Sequence, residues 1–176
     1  YLEKGIDSFL IIRGDCPTNE FLIDLDELEK GLNNGFRHAS ELIQYLNTKG
    51  LKKIGFGVFP SGHPEDKKRL DTLETFKLKV DAGGTFSATQ LFFDVEEYIN
   101  FYDEIREFDK KTPVYAGIMP LVSLRQAERF AEVCDIDLPI KLREGFINCK
   151  TKEEEREFGL AYIAELCDLL LDYNTD

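Results

Sequence analysis

The chain has 176 residues, of which 43% are hydrophobic and 12% aromatic, and its 22 basic and 34 acidic residues give a formal net charge of −12. This composition is typical of a globular protein and excludes a disordered chain. The charge disfavours nucleic acid or an anionic membrane surface as a partner, and no apolar run approaches the roughly 20 residues that span a bilayer.

The hydrophobic pattern predicts strands and helices in strict alternation. The first strand is Ser8-Phe9-Leu10-Ile11-Ile12, a continuous apolar run that is typical of a strand buried on both faces. Ser123 is the predicted N-cap of a later helix, and Thr151 with Glu154 has the spacing of a capping box. The other predicted strands are 53–59, 85–90 and 113–118, and the predicted helices are 35–48, 67–80, 95–108, 124–133 and 151–171.

Strands that alternate with helices form a parallel sheet with right-handed crossovers, so the predicted fold class is α/β. Two architectures satisfy this alternation, an open doubly wound sheet and part of a βα barrel. The chain is short for a complete eight-unit barrel, which typically needs ~250 residues. Because it begins at Tyr1 without an initiator methionine, we expect it to be a segment of a longer protein.

Polar residues, glycines and prolines follow the predicted strands, and in both architectures ligands bind at the carboxyl ends of strands. Other chemistry is disfavoured by composition. His38 and His63 are the only two histidines, and the four cysteines form no C-x-x-C pair, so a nucleophilic triad or a zinc site is not expected. We therefore expect carboxylate chemistry or a bound cofactor, with no metal.

Five segments at or near these strand ends form a characteristic series. They are Arg13-Gly14-Asp15, Phe59-Pro60-Ser61-Gly62-His63-Pro64-Glu65, Lys79-Val80-Asp81-Ala82-Gly83, Thr89-Gln90-Leu91-Phe92-Phe93-Asp94 and Gly117-Ile118-Met119-Pro120. In order and spacing they resemble the methylenetetrahydrofolate reductase family along nearly the whole chain. The resemblance implies a (β/α)8 TIM barrel, of which residues 1–176 would form one incomplete domain with about four central to C-proximal units.

The resemblance also implies an activity. That family reduces 5,10-methylenetetrahydrofolate to 5-methyltetrahydrofolate with hydride that passes from NADH or NADPH through FAD. We therefore expect a cytoplasmic flavoenzyme of one-carbon metabolism and methionine biosynthesis, with a folate as its small-molecule partner. The sequence leaves open which nicotinamide is used and whether the protein forms a homo-oligomer.

Individual residues take roles from the same resemblance. Asp15 matches the catalytic aspartate beside the flavin, where a carboxylate disfavours an anionic reduced flavin and stabilises the cationic form of the folate. The substrate-binding positions are Asp15, Gln90, Gln126 and Phe130. The FAD-binding positions are Arg13, Gly14, Asp15, Phe59, His63 and Lys79.

The sequence departs from the family at the flavin-binding helix, where Leu78 replaces an arginine and Thr75 replaces an asparagine. The family's proton-donating glutamate and its last strand fall outside the 176 residues, so we expect the isolated segment to have little or no activity. Two alternatives remain open. One is a divergent, non-catalytic barrel segment that binds a pterin or a protein partner, and the other is a pterin-using methyltransferase without flavin.

Overall fold

The computed structural model describes residues 2–12, 36, 38–62 and 69–173. Its strands are β1 (Ser8–Ile11), β2 (Lys53–Val58), β3 (Phe86–Leu91) and β4 (Val114–Gly117). Its helices are α1 (Ala39–Thr48), α2 (Arg69–Asp81), α3 (Val95–Arg106), α4 (Leu124–Cys134), α5 (Ile140–Asn148) and α6 (Lys152–Tyr173), and a short 3-10 helix covers Leu2–Lys4.

The strands form one parallel sheet in the order β1-β2-β3-β4, which is also their order along the chain. β1 and β2 pair with Ser8 opposite Lys53 and Ile11 opposite Phe56. A doubly wound sheet reverses its winding at a switch point, whereas a barrel adds each strand on the same side of the previous one. The sequential order therefore confirms the α/β class and agrees with the predicted partial (β/α)8 barrel.

Local sequence signals explain several helix ends. Ser123 is the N-cap of α4, as predicted, because its Oγ accepts a hydrogen bond from the Gln126 N–H at 3.2 Å. Thr151 Oγ1 accepts from the Glu154 N–H at 3.1 Å. The return bond differs from the predicted capping box, since the Glu154 carboxylate accepts from the N–H of Lys150, one residue earlier.

Contacts between residues group the chain into two compact units. The first unit consists of the described residues within 1–58, 70–88 and 111–115, and the second consists of the described residues within 59–69, 89–110 and 116–176. In the first unit, Phe56 and Phe76 are buried and meet edge to face with ring centroids 5.3 Å apart. In the second unit, a buried cluster contains Leu91, Phe93, Leu121, Ala127, Ala131, Leu142, Phe146 and Ile163. That residues 1–176 belong to one domain stays a prediction.

The expected burial of β1 is wrong, and one helix was not predicted. β1 is not buried on both faces, because Leu10 is 51% exposed while Ile11 is 7% exposed. Successive side chains of a strand point to opposite faces, so Ser8 and Leu10 share the exposed face of β1 and Phe9 and Ile11 share the other face. Helix α5 was not predicted, although the fully buried Leu142 and Phe146 have the i, i+4 spacing of one helix face.

Candidate functional site

The structure describes only part of the predicted site. The predicted residues outside the described part of the chain are Arg13, Gly14, Asp15 and His63. The described ones are Phe59, Lys79, Gln90, Gln126 and Phe130. Of these five, Lys79 belongs to the first unit and the other four belong to the second.

Lys79 places a positive charge near the carboxyl end of β2. It lies in the last turn of α2, and its Nζ donates a hydrogen bond to the carbonyl of Gly57 at 2.9 Å. The same Nζ lies 5.9 Å from the centroid of the Phe56 ring, within the range of a cation–π contact. An ammonium fixed at this end of a strand can bind phosphate oxygens.

The end of α2 explains why Lys79 is held there. Gly83 has a positive φ of 110°, a conformation that glycine adopts without steric cost. The Gly84 N–H then donates to the carbonyl of Lys79 at 2.9 Å. A Cβ at Gly84 would lie 2.5 Å from the Phe56 ring and 2.8 Å from the Lys79 carbonyl oxygen, so only glycine fits this turn.

The flavin-side departures from the family lie on the same helix. Leu78 is 61% exposed and offers no hydrogen-bond donor or charge. Thr75 is half-buried and carries a hydroxyl instead of an amide. Of Thr75, Leu78 and Lys79, only Lys79 therefore carries a charged donor that could bind a phosphate group.

Phe59 is the first residue after β2 and is half-buried. Its carbonyl accepts a hydrogen bond from the Gly62 N–H at 3.1 Å, and Gly62 has a φ of 93°. In this turn, Ser61 Oγ donates to the Glu97 carboxylate at 2.7 Å. The turn therefore holds Phe59 directly after the end of β2.

Gln90 and Gln126 are both oriented by the backbone. Gln90 Oε1 accepts a hydrogen bond from the Leu91 N–H at 2.8 Å, and Gln126 Oε1 accepts from the Val122 N–H at 2.9 Å. Among the described residues, neither side-chain Nε2 donates to a protein acceptor. Because each amide oxygen is engaged, both glutamines can present NH2 donors to a ligand with carbonyl or ring-nitrogen acceptors.

Phe130 lies one helical turn after Gln126, so both residues share one face of α4. Its ring is partly buried and packs against the buried cluster of the second unit. That cluster also contains Leu91, the residue next to Gln90. The second unit thus links the end of β3 to the Gln126–Phe130 face of α4 through shared packing.

Tyr162, which contacts the segment that follows Gln90, was not predicted from the sequence. Its hydroxyl donates to the Phe93 carbonyl at 3.0 Å across 69 positions of sequence. Burial raises the pKa of Tyr162, and the nearby carboxylates of Asp94 and Glu165 raise it further.

A cavity of about 310 Å³ in the second unit has an acidic lining, unlike the region around Lys79. It is lined by Ser61, Glu97, Asp135, Ile136 and Asp137. Three carboxylates in its wall disfavour an anionic ligand, so it does not suit a phosphate. Among the described residues, no cluster of His, Cys, Asp and Glu could hold a metal ion. In the same part of the chain, every helix is too short or too polar to span a bilayer.

The sequence is similar to known proteins along nearly its whole length. A sequence model of the family "Methylenetetrahydrofolate reductase" matches residues 1–175. Methylenetetrahydrofolate reductase 2 of Saccharomyces cerevisiae is 33% identical over 175 residues, which cover 96% of this chain and 28% of the yeast protein. The 5,10-methylenetetrahydrofolate reductase of Escherichia coli is 30% identical over 164 residues, which cover 93% of this chain and 51% of the bacterial protein.

A solved structure is also similar in fold. It is an uncharacterized protein from Clostridium thermocellum that binds two copies of 5-methyl-5,6,7,8-tetrahydrofolic acid. Its TM-score is 0.58 with 17% sequence identity, and the match covers 96% of this chain and 54% of that protein. The chain therefore spans only about a quarter to a half of the length of these relatives.

Proposed function

The chain belongs to the methylenetetrahydrofolate reductase family, and we propose that its parent protein reduces 5,10-methylenetetrahydrofolate to 5-methyltetrahydrofolate. The hydride donor is NADH or NADPH, and the enzyme-bound carrier is FAD. The observation that carries this proposal is the family match over residues 1–175, joined to the two backbone-held glutamines at the predicted folate positions. A cytoplasmic location and the oligomeric state remain predictions.

Lys79 is the described residue that would hold the cofactor, because its ammonium suits the FAD pyrophosphate. Phe59 would supply a stacking face, and Arg13, Gly14 and His63 are proposed to complete the binding set. When bound, FAD supplies the capacity to accept a hydride from the nicotinamide and to transfer it to the folate.

The substrate-side residues have separate tasks. Gln90 and Gln126 donate hydrogen bonds from their NH2 groups to acceptors of the pterin, and the ring of Phe130 stacks on a planar ligand. The proposed role of the Asp15 carboxylate is to stabilise the positive charge that develops on the folate as the methylene bridge opens. The neutral amides orient the substrate, and the carboxylate stabilises the transition state.

We propose that residues 1–176 are part of one barrel domain and are inactive in isolation. The described sheet has two end strands, β1 and β4, and a closed barrel pairs every strand on both sides. Purified residues 1–176 should therefore show no oxidation of NADH or NADPH under conditions in which the full-length protein turns over. Robust oxidation by the segment alone would contradict this proposal.

The relatives named as reductases support the reductase over a non-catalytic, pterin-binding segment. The deciding experiment uses the full-length parent protein. We expect a yellow protein whose flavin absorbance bleaches anaerobically when NADH or NADPH is added and returns when 5,10-methylenetetrahydrofolate is added. A full-length protein that never retains flavin, even with excess FAD, would contradict the proposal, and a requirement for a methyl donor would indicate the methyltransferase.

The Asp15→Asn variant tests the catalytic assignment. It should lower the rate of folate reduction about 100-fold, because an amide cannot stabilise the developing positive charge, and leave nicotinamide-dependent bleaching within a factor of about two. Asp7→Asn is a matched control, because Asp7 pairs with Lys53 at 3.7 Å between two exposed side chains. If Asp15→Asn and Asp7→Asn reduce folate at equal rates, Asp15 is not a catalytic residue.

A further inference from the structure

Helix α6 contacts the segments that follow two neighbouring strands. The Tyr162 hydroxyl donates to the carbonyl of Phe93, which lies two residues after the end of β3. Three residues earlier on α6, the Cα of Gly159 lies so close to the Leu121 carbonyl, four residues after β4, that a Cβ would clash with it. Residues at i and i+3 share one helix face, so one face of α6 contacts both segments.

Each contacted segment also orients one of the two glutamines. The first begins at Gln90, whose Oε1 accepts from the N–H of Leu91, and leads to Phe93. The second contains Leu121, and the N–H of the next residue, Val122, donates to Gln126 Oε1. The backbone groups that hold the glutamines therefore lie close in sequence to the backbone that α6 contacts.

The side chains of Phe93 and Tyr162 both take part in the packing of the buried cluster. Phe93 is 1% exposed, and Tyr162 packs against the buried cluster that contains it. Phe130 packs against the same cluster. A shift of the Phe93 peptide would therefore displace Gln90 and change the packing around the Phe130 ring.

We propose that Tyr162 is a positioning residue for folate binding, because its hydroxyl fixes the Phe93 carbonyl and with it the Gln90–Asp94 connection. This inference rests on the proposed function, since it takes Gln90 and Phe130 as folate contacts. Tyr162 does not touch the ligand. It acts by limiting the conformations of the segment from which Gln90 presents its NH2 group.

The test is Tyr162→Phe in the full-length protein. Phenylalanine keeps the ring, including its contact with Phe158 at 6.3 Å between centroids, so the variant should fold. The dissociation constant for 5-methyltetrahydrofolate, measured by titration calorimetry, should rise about three- to tenfold. The KM for 5,10-methylenetetrahydrofolate should rise by a similar factor, while kcat and flavin content stay within a factor of about two.

Tyr173→Phe is the matched control, because Tyr173 lies on the same helix and its hydroxyl bonds the side chain of Asp103 on α3. This control should leave the folate dissociation constant unchanged. If Tyr162→Phe binds folate as the wild type does, or weakens it no more than Tyr173→Phe, the positioning role is wrong. If the wild-type protein itself binds no folate, the proposed function fails instead, and the two failures are thereby distinguished.

Discussion

Two described regions carry predicted ligand contacts, and they fix their side chains through opposite backbone groups. In the first unit, Lys79 donates to the carbonyl of Gly57. In the second unit, the amide oxygens of Gln90 and Gln126 accept from the N–H groups of Leu91 and Val122. The first region therefore presents a cation, and the second presents neutral NH2 donors.

The difference matches two kinds of ligand. A fixed ammonium attracts phosphate oxygens strongly, with little demand on direction, so it suits the anionic part of a dinucleotide. Amide donors are weaker but directional, and they discriminate among the acceptors of a heterocycle. If this comparison is right, variants of the first region should affect the cofactor and variants of the second should affect folate.

The largest effect is expected from Gly84→Ala in the first region. Its Cβ would lie 2.8 Å from the Lys79 carbonyl oxygen and 2.5 Å from the Phe56 ring, and the backbone oxygen cannot easily move. Overpacking of this kind should lower the free energy of unfolding by about 2–3 kcal/mol, measured as a lower melting temperature of the full-length protein.

Gly57→Ala is the control for that substitution. Among the residues that the structure describes, a Cβ at Gly57 would meet only the Ile12 side chain, at 4.0 Å, which is ordinary contact. Its unfolding free energy should stay within about 0.5 kcal/mol of the wild type. Equal melting temperatures for the two variants would show that the turn at Gly84 tolerates a side chain.

The second-largest effect is expected from Lys79→Met, also in the first region. Methionine keeps an unbranched apolar stem over Phe56 but loses the ammonium that donates to Gly57. The dissociation constant for FAD should rise about tenfold, which corresponds to about 1.4 kcal/mol, while folate binding stays unchanged. The loss is measured by flavin fluorescence on titrating the deflavinated full-length protein.

Lys52→Met provides the comparison for that loss, because the exposed Lys52 lies just before β2, at the opposite end of the strand from Gly57. This variant should bind FAD as the wild type does. If Lys79→Met weakens folate binding as much as FAD binding, the assignment of the first region to the cofactor is wrong.

The strands and most of the helices could be predicted from local pattern to within a few residues. Each predicted strand corresponds to an observed one, because short apolar runs and helical spacing are properties of neighbouring residues. The order β1-β2-β3-β4 could not be derived this way, since alternation alone satisfies two architectures. Helix α5 was missed because its nine residues bury only Leu142 and Phe146.

The sequence and the family resemblance name candidate site residues, whose roles stay predictions, but they do not supply the geometry of those residues. The rule that ligands bind at strand ends selects the region of Gln90, and the family resemblance adds Gln126 and Lys79. The hydrogen bonds that orient these side chains depend on rotamers that a sequence does not specify. The contact of Tyr162 with Phe93 joins residues 69 positions apart, which no local pattern indicates.

A smaller effect is expected from Gln126→Glu and Gln90→Glu in the second region. Glutamate keeps an oxygen for the backbone N–H but replaces the NH2 donor with a second acceptor. Each variant should raise the dissociation constant for 5-methyltetrahydrofolate about fivefold, measured by calorimetry, and leave FAD affinity unchanged. Gln44→Glu, on the exposed side of α1, is the matched control and should bind folate normally. An FAD defect without a folate defect would reverse the assignment of the two regions.

The smallest effect is expected from Tyr173→Phe, which removes a hydrogen bond of the second unit that does not involve Gln90 or Gln126. The hydrogen bond to Asp103 raises the pKa of Tyr173 to about 12, with burial as the next cause. Because Tyr173 is 38% exposed, the bond should contribute only about 0.5 kcal/mol, and folate binding should not change.

The pH dependence of that contribution follows from the direction of the shift. An unfolded tyrosine titrates near pH 10, so the raised pKa stabilises the fold fully below about pH 10. The stabilisation is lost as the pH rises toward 12, where the folded phenol also ionises. The difference in melting temperature between wild type and Tyr173→Phe should therefore shrink from pH 9 to pH 11. If the difference in melting temperature stayed constant from pH 9 to pH 11, Tyr173 would have the same pKa in the folded and unfolded states. The hydrogen bond to Asp103 would then not stabilise the contact between α3 and α6.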